Sequence, residues 1–190
     1  MHTTTPWRTR PVHIRAAGFS LIETLVVLAL LGILLGLAVP GMVSWKHRHE
    51  LQSVAEDVWN GLVLARSQAL VHQQRVVLCP VSSQGVCDVQ GQWQQGWQVF
   101  VDSNHSGQRD GQELILLTRG ALPAGTRLQG NNTISRGVGY GAEGRSEGIS
   151  GGFQAGTFTL CRSGLSEGWR VVVNALGRPR LESAVAVECP

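Results

Sequence analysis

No acidic residue precedes Glu23, no cysteine precedes Cys79, and no lysine occurs beyond residue 118 of this 190-residue chain. Arg8, Arg10 and Arg15 therefore stand uncompensated, a bias that holds an N-terminus on the cytoplasmic side of a membrane. With no cysteine near the apolar run that follows, a lipoprotein signal is excluded. Also missing are paired catalytic carboxylates, a nucleophile beside a base, and a metal-ligand cluster. The chain is accordingly expected not to be an enzyme, and to hold neither cofactor nor metal. What is present is a run from Phe19 to Val39 in which only Ser20, Glu23 and Thr24 are polar. About 20 apolar residues suffice to cross a bilayer as a helix, so residues 19–40 are predicted to span the membrane once and send the rest outward. An ordinary secretory signal would need a shorter core and a small-x-small cleavage site, and Pro40-Gly41-Met42 is a poor one.

Glu23 stands five residues into that run. A carboxylate in lipid is costly unless paired, so by default it marks a function. The sequence Gly18-Phe19-Ser20-Leu21-Ile22-Glu23, following a basic leader, resembles the processing and assembly signal of type IV prepilins. The resemblance implies a leader of residues 1–18, removed by prepilin peptidase between Gly18 and Phe19. It also implies N-methylation of Phe19. The Phe19 amine, on the same or a neighbouring subunit, then becomes the natural partner of Glu23 and draws subunits into register.

The formal net charge of +3 arises in that leader. Removing its three arginines leaves 13 Lys+Arg against 13 Asp+Glu, so affinity for an anionic polymer must come from local clustering. After residue 118, eight arginines (119, 127, 136, 145, 162, 170, 178, 180) face five glutamates. The planar arginine fork suits bidentate phosphate contact, although a solvated, mildly basic surface gives the same tally. The four cysteines, Cys79, Cys87, Cys161 and Cys189, all lie beyond the apolar run, and an even count in an exported domain reads as disulfides. Three pairings are possible. The preferred one joins Cys79 to Cys87 across a short loop and Cys161 to Cys189, tying the C-terminus to a strand. Cys-x-x-Cys spacing and a flanking histidine pair are both lacking, which argues against zinc.

Beyond Pro40, expected to kink the helix, Leu51, Val54, Ala55, Val58, Leu62, Ala65 and Ala69 recur at three- and four-residue steps. This is one stripe of an amphipathic helix over 41–72. From Arg75 the pattern changes to strands: 76–78, 97–101, 114–117, 126–128, 133–136, 157–161, 169–173 and 180–182. Strands 97–101 and 114–117 read as a hairpin. The glycine-rich stretch 137–152 reads as a flexible loop. One long helix followed by short strands predicts an α+β domain over 73–190, with a twisted antiparallel sheet wrapped on the helix.

Three motifs invite chemistry. Gly139-Tyr-Gly141-Ala-Glu-Gly144 matches G-x-G-x-x-G but lacks the βαβ context that would give it meaning. Asp102, Asn104, Ser106, Gly107, Asp110 and Glu113 match positions of an EF-hand-like loop; the same residue types serve an Asx-rich hairpin turn, which is the preferred reading. In Gly177-Arg178-Pro179-Arg180, an extended backbone puts Arg178 and Arg180 on the same side. Two such arginines form a small anion-binding fork, or simply a turn with two solvated side chains.

Taken with Trp93-Gln-Gln-Gly96-Trp97-Gln-Val99-Phe100-Val-Asp102, Gly111-Gln-Glu113 and Thr157-Phe158-Thr-Leu160-Cys161, the N-terminal motif makes the chain resemble the GspH/FimT family of minor pilins and pseudopilins. The resemblance implies a type IV pilin-like fold, held in the inner membrane with its C-terminal domain in the periplasm. Its implied partners are other pilins or pseudopilins and prepilin peptidase. Two roles follow: a minor pilin of a type IV pilus, or a minor pseudopilin of a type II secretion system. In FimT-like members a C-terminal Gly-Arg-x-Arg segment binds DNA during natural transformation. The match at Arg178 and Arg180 implies DNA binding that is weak, salt-sensitive and sequence-independent.

Overall fold

The computed structural model describes residues 18–187 and 189, with side chains for all of these except 37–41. The expected leader, apart from Gly18, lies outside the described residues. The chain divides into two compact units between Met42 and Val43.

Helix α1 (Leu21–His72) begins in the first unit. Ser20 caps it: its Oγ accepts the Glu23 N–H at 3.4 Å, and its carbonyl accepts the Thr24 N–H at 3.1 Å. Ser20-Leu-Ile-Glu23 thus has the S-x-x-E spacing of a capping box. The apolar side chains over 21–36 are exposed. Among the described residues no helix is long and apolar enough to cross a membrane. The predicted span continues over 37–40, whose side chains lie outside the description, while the helical backbone is continuous there.

In the second unit, Leu51, Val54, Ala55, Val58, Leu62, Ala65 and Ala69 are all buried, the stripe that their spacing predicts. They share one core with buried residues from six of the domain's nine strands. These strands are β1 (Val76–Pro80), β2 (Trp97–Val101), β3 (Ile115–Arg119), β4 (Thr126–Gly130), β5 (Val138–Tyr140), β6 (Ser146–Glu147), β7 (Gly156–Arg162), β8 (Glu167–Val173) and β9 (Pro179–Val185). The fold is α+β and every strand pair is antiparallel. The expected single sheet is in fact two, ordered β3-β2-β1-β5-β6 and β4-β7-β8-β9. Edge-on packing of Trp93 against Phe158, ring centroids 4.8 Å apart, joins the two layers.

Two local expectations are corrected. The glycine-rich stretch contains β5, whose Val138 and Tyr140 pair with Leu78 and Val76 and are fully buried. Residues 133–136, expected as a strand, form a turn in which the Ile134 N–H donates to the Asn131 carbonyl. The Gln154 side chain locks that turn by donating to the carbonyls of Thr133 and Gly137. Gly61 lets the helix approach the first sheet: a Cβ there would lie 2.9 Å from Leu78 Cδ1.

Leu62 sits at the centre of the stripe, fully buried. Leu62→Ala is expected to lower stability by about 2–5 kcal/mol, read from urea unfolding of the full chain in neutral detergent. Ser53→Ala on the exposed side should change it by less than about 0.5 kcal/mol.

Candidate functional site

At the N-terminal end the Gly18–Phe19 peptide bond lies just before α1. A Cβ at Gly18 would meet nothing within 4 Å, and Phe19 is 84 % exposed. Glu23 is exposed on the first turn. A carboxylate there also interacts favourably with the helix dipole, a local role that the assembly reading alone does not reveal.

At the other end, β8 turns into β9 through residues 174–178. Asn174 organises the turn: its Oδ1 accepts the N–H groups of Leu176 and Arg178, and its carbonyl accepts that of Gly177. Gly177 has φ 73°, and a Cβ would fall 2.3 Å from the Gly144 carbonyl oxygen, so both conformation and space demand glycine. Ser146 Oγ donates to the carbonyls of Gln154 and Asn174, and Trp59 Nε1 donates to the Pro179 carbonyl at 3.2 Å. The turn is therefore seated on the β5–β6 hairpin and on α1. Arg178 and Arg180 are both exposed at this seat. The Arg180 Nε lies 2.5 Å from Glu182 Oε1, so one prong of the expected fork already carries a carboxylate. An exposed pair of this kind is worth at most about 1 kcal/mol and exchanges readily.

The 102–113 loop joins β2 to β3, not two helices. Asp102 Oδ2 accepts the Gly107 N–H, while Glu113 accepts the N–H groups of Ser103 and Asp110. Asn104 Nδ2 donates to Asp110, and its Oδ1 accepts the Ser106 N–H. The charge that a calcium ion would bring to Asp102 is supplied by Arg75, with Nη1 at 3.5 Å and both side chains buried. Arg75 Nη2 also donates to the Gly148 carbonyl at 2.6 Å. Among the described residues no group of three or more His, Cys, Asp or Glu could hold a metal ion. The loop is an Asx hairpin held by its own hydrogen bonds, with Asp102 Oδ1 left unpartnered. Gly139 and Gly141, with Gly144, belong to the β5–β6 hairpin and have no βαβ context. Disulfides join Cys79 to Cys87 and Cys161 to Cys189.

The sequence matches the family described as "Type II transport protein GspH" over residues 54–177, about two thirds of the chain. The chain belongs to the GspH family. It also matches the "Prokaryotic N-terminal methylation motif" over residues 14–39. Among solved structures it is similar to the type IV minor pilin FimU of Pseudomonas aeruginosa strain PAO1. That likeness has 20 % identity and a TM-score of 0.57, covering 73 % of this chain and 92 % of FimU. A second likeness is to the minor pseudopilin EpsH from the Type 2 Secretion System of Vibrio cholerae. There the identity is 14 % and the TM-score 0.49, covering 73 % of this chain and 99 % of EpsH. No curated protein matches the sequence.

The chain is thus a pilin- or pseudopilin-like protein of a family that is not enzymatic, and association with other pilins in a filament follows from that family. The GspH match ends at Gly177, so Arg178 and Arg180 lie just past it. Sequence reading missed Glu182 as their neighbour and Arg75 as the partner of Asp102. Alternation along β9 could have placed Glu182 beside Arg180; nothing local could have joined Arg75 to Asp102.

Burial pushes the Asp102 carboxyl above its ordinary 3.8, against the pull of Arg75 and the Gly107 N–H. A carboxyl with a raised folded pKa binds its proton more tightly folded than unfolded. The stability it contributes is complete below 3.8 and is lost as pH rises through the folded value. Wild type should therefore lose stability relative to Asp102→Asn across that rise; parallel urea-unfolding curves from pH 3 upward check it.

Proposed function

We propose that this chain is a minor pilin of a type IV pilus that contributes to filament assembly and holds DNA weakly through Arg178 and Arg180. Prepilin peptidase cuts between Gly18 and Phe19, the new N-terminus is methylated, and residues 19–40 anchor the subunit once in the inner membrane. The domain from 73 onward then stands in the periplasm until the subunit enters the filament. Glu23 drives entry, because a carboxylate in lipid is relieved by the amine of Phe19 on its own or a neighbouring subunit. The observation that carries the pilus reading is the Gly177–Arg180 turn: a rigidly seated hairpin that presents two arginines to solvent at the end of the domain. The match to the GspH family favours a second reading, a minor pseudopilin handling secreted proteins.

Ser20 caps α1 through the Glu23 backbone N–H, which any substitution at 23 keeps, so the informative variant is Glu23→Gln, which removes the charge at nearly constant side-chain size. It is expected to be processed normally yet be lost from sheared filaments by immunoblot. Incorporation equal to wild type would remove the charge-pairing idea. Gly18→Ala should accumulate uncleaved precursor. Arg178→Gln/Arg180→Gln, in the full chain in neutral detergent, should weaken DNA retention in a gel shift; retention unchanged would favour the pseudopilin reading.

A further inference from the structure

The β4-β7-β8-β9 sheet has one face turned to the core and one turned away from it. Leu128, Phe158, Leu160, Val171 and Val173 lie on the inner face, in the same core as the α1 stripe. Strict alternation along each strand then puts Arg127, Thr157, Thr159, Arg170, Arg180 and Glu182 on the outer face. The register orders them further. Arg127 stands opposite Cys161, Thr159 opposite Arg170, Arg170 opposite Glu182, and Thr157 opposite Val172, which faces Arg180.

Each step from β4 towards β9 therefore moves the arginine along the strands as well as across them. With strands about 4.8 Å apart and about 3.4 Å per residue, Arg127 and Arg170 are separated by about 12 Å, and Arg170 and Arg180 by about 8 Å. The three fall near one diagonal about 20 Å long, and Arg178 follows Arg180 beyond its end.

The charges are segregated. On the inner and helix side, Arg119 pairs with Asp57 at 2.8 Å, Arg162 with Glu50 at 2.9 Å, Arg48 with Glu167 at 3.5 Å, and Arg75 with Asp102. Among the described residues no ion pair is found for Arg127, Arg170 or Arg178. Among the described residues the outer diagonal has a single carboxylate, Glu182, held by Arg180 and opposite Arg170. At the Arg127 end lies a cavity of about 700 Å³, walled by Gln90, Gln92 and Gln94 and floored by Arg127, Gln129 and Thr159. Its lining includes no carboxylate.

We propose that this outer face is a track for the backbone of duplex DNA, in which Arg127 and Arg170 extend the contact begun at Arg178 and Arg180, and Glu182 restrains it. The inference rests on the nucleic-acid reading of the Gly177–Arg180 turn and adds three residues to it. A diagonal of about 20 Å corresponds to about six nucleotide steps at 3.4 Å. Thr159 places a hydroxyl donor between Arg127 and Arg170. The outer positions of β7, β8 and β9 hold no aromatic side chain, so the face has no stacking platform of the kind that single-strand binders use. Contacts go to phosphates and leave the base sequence unread. An arriving phosphate takes Glu182's place on Arg180, an exchange between two anions on one exposed guanidinium.

The test is fluorescence anisotropy of a labelled 30-base-pair duplex and of its single strand, with the full chain in neutral detergent over about 50–200 mM salt. Wild type should prefer the duplex. Arg127→Gln/Arg170→Gln should lose about tenfold in affinity at low salt and flatten the log–log salt slope by about 2. Arg127→Lys/Arg170→Lys should keep most of that slope, which separates lost charge from misfolding. Glu182→Gln should bind severalfold more tightly. If Arg127→Gln/Arg170→Gln matches wild type while Arg178→Gln/Arg180→Gln loses binding, the track is wrong and the turn stands alone. If wild type does not retain DNA at any salt, the nucleic-acid reading itself falls. An unchanged affinity in Glu182→Gln overturns the restraining role, and equal binding of the single strand overturns the duplex assignment.

Discussion

Burial of one helical stripe, from Leu51 to Ala69, is the constraint on which the rest of the α+β domain depends. Seven apolar residues on one face of α1 are too long a strip for one small sheet to cover, and two sheets share it. The first brings Val76, Leu78, Val99 and Tyr140; the second brings Leu128, Phe158, Leu160 and Val171. Once a strand commits its even or odd residues to that core, the others have no freedom left, because a slip of one residue would bury every exposed side chain and expose every buried one. The placement of Arg127, Arg170 and Arg180 on the outer face is therefore a consequence of packing at α1. A surface with functional potential is held in register by an apolar core about a sheet's thickness away.

Arg75 and Asp102 impose a second constraint, of a different kind. Their pair ties the residue just before β1 to the residue just after β2, and Arg75 also binds the carbonyl of Gly148 in the β6–Phe153 turn. Removing two charges from water costs more than one contact at 3.5 Å returns, and Arg75 Nε and Asp102 Oδ1 are left without hydrogen-bond partners. Such a pair contributes little net stability. What it fixes is geometry: three chain segments are positioned by a charge that has nowhere else to go.

The sequence was most legible where the signal is local. All seven stripe residues follow from helical spacing, and β2 occupies the predicted 97–101 to the residue. Legibility fails where pairing is non-local. Glycine content made 137–152 read as a loop, yet Val138, Gly139 and Tyr140 are a buried strand, because a partner strand outweighs weak intrinsic propensity. Residues 133–136 carried β-branched and apolar residues but end in a turn fixed by Asn131 and Gln154. The division into two sheets was equally invisible, since it depends on which edges meet. At the candidate site, the Gly-Arg-Pro-Arg run was plain, while the alignment of Arg170 and Arg127 with it required a register spanning four strands.

Composition explains why that alignment matters. Over residues 19–190 the side-chain charges cancel, and a neutral protein attracts a polyanion only where its own anions are elsewhere. Here they are: Asp57, Glu50, Glu167 and Asp102 are each committed to an arginine on the helix side or in the interior. Those pairs are commonly read as stabilising, yet the exposed ones among them add little to stability. Their larger effect is to sequester negative charge away from the outer sheet face, leaving Glu182 as its sole carboxylate among the register-aligned positions. A field built this way is short-ranged and easily screened beyond about 8–10 Å at physiological salt. It suits a surface that must hold a long anion loosely and let it move, and it is poorly suited to one that must keep it.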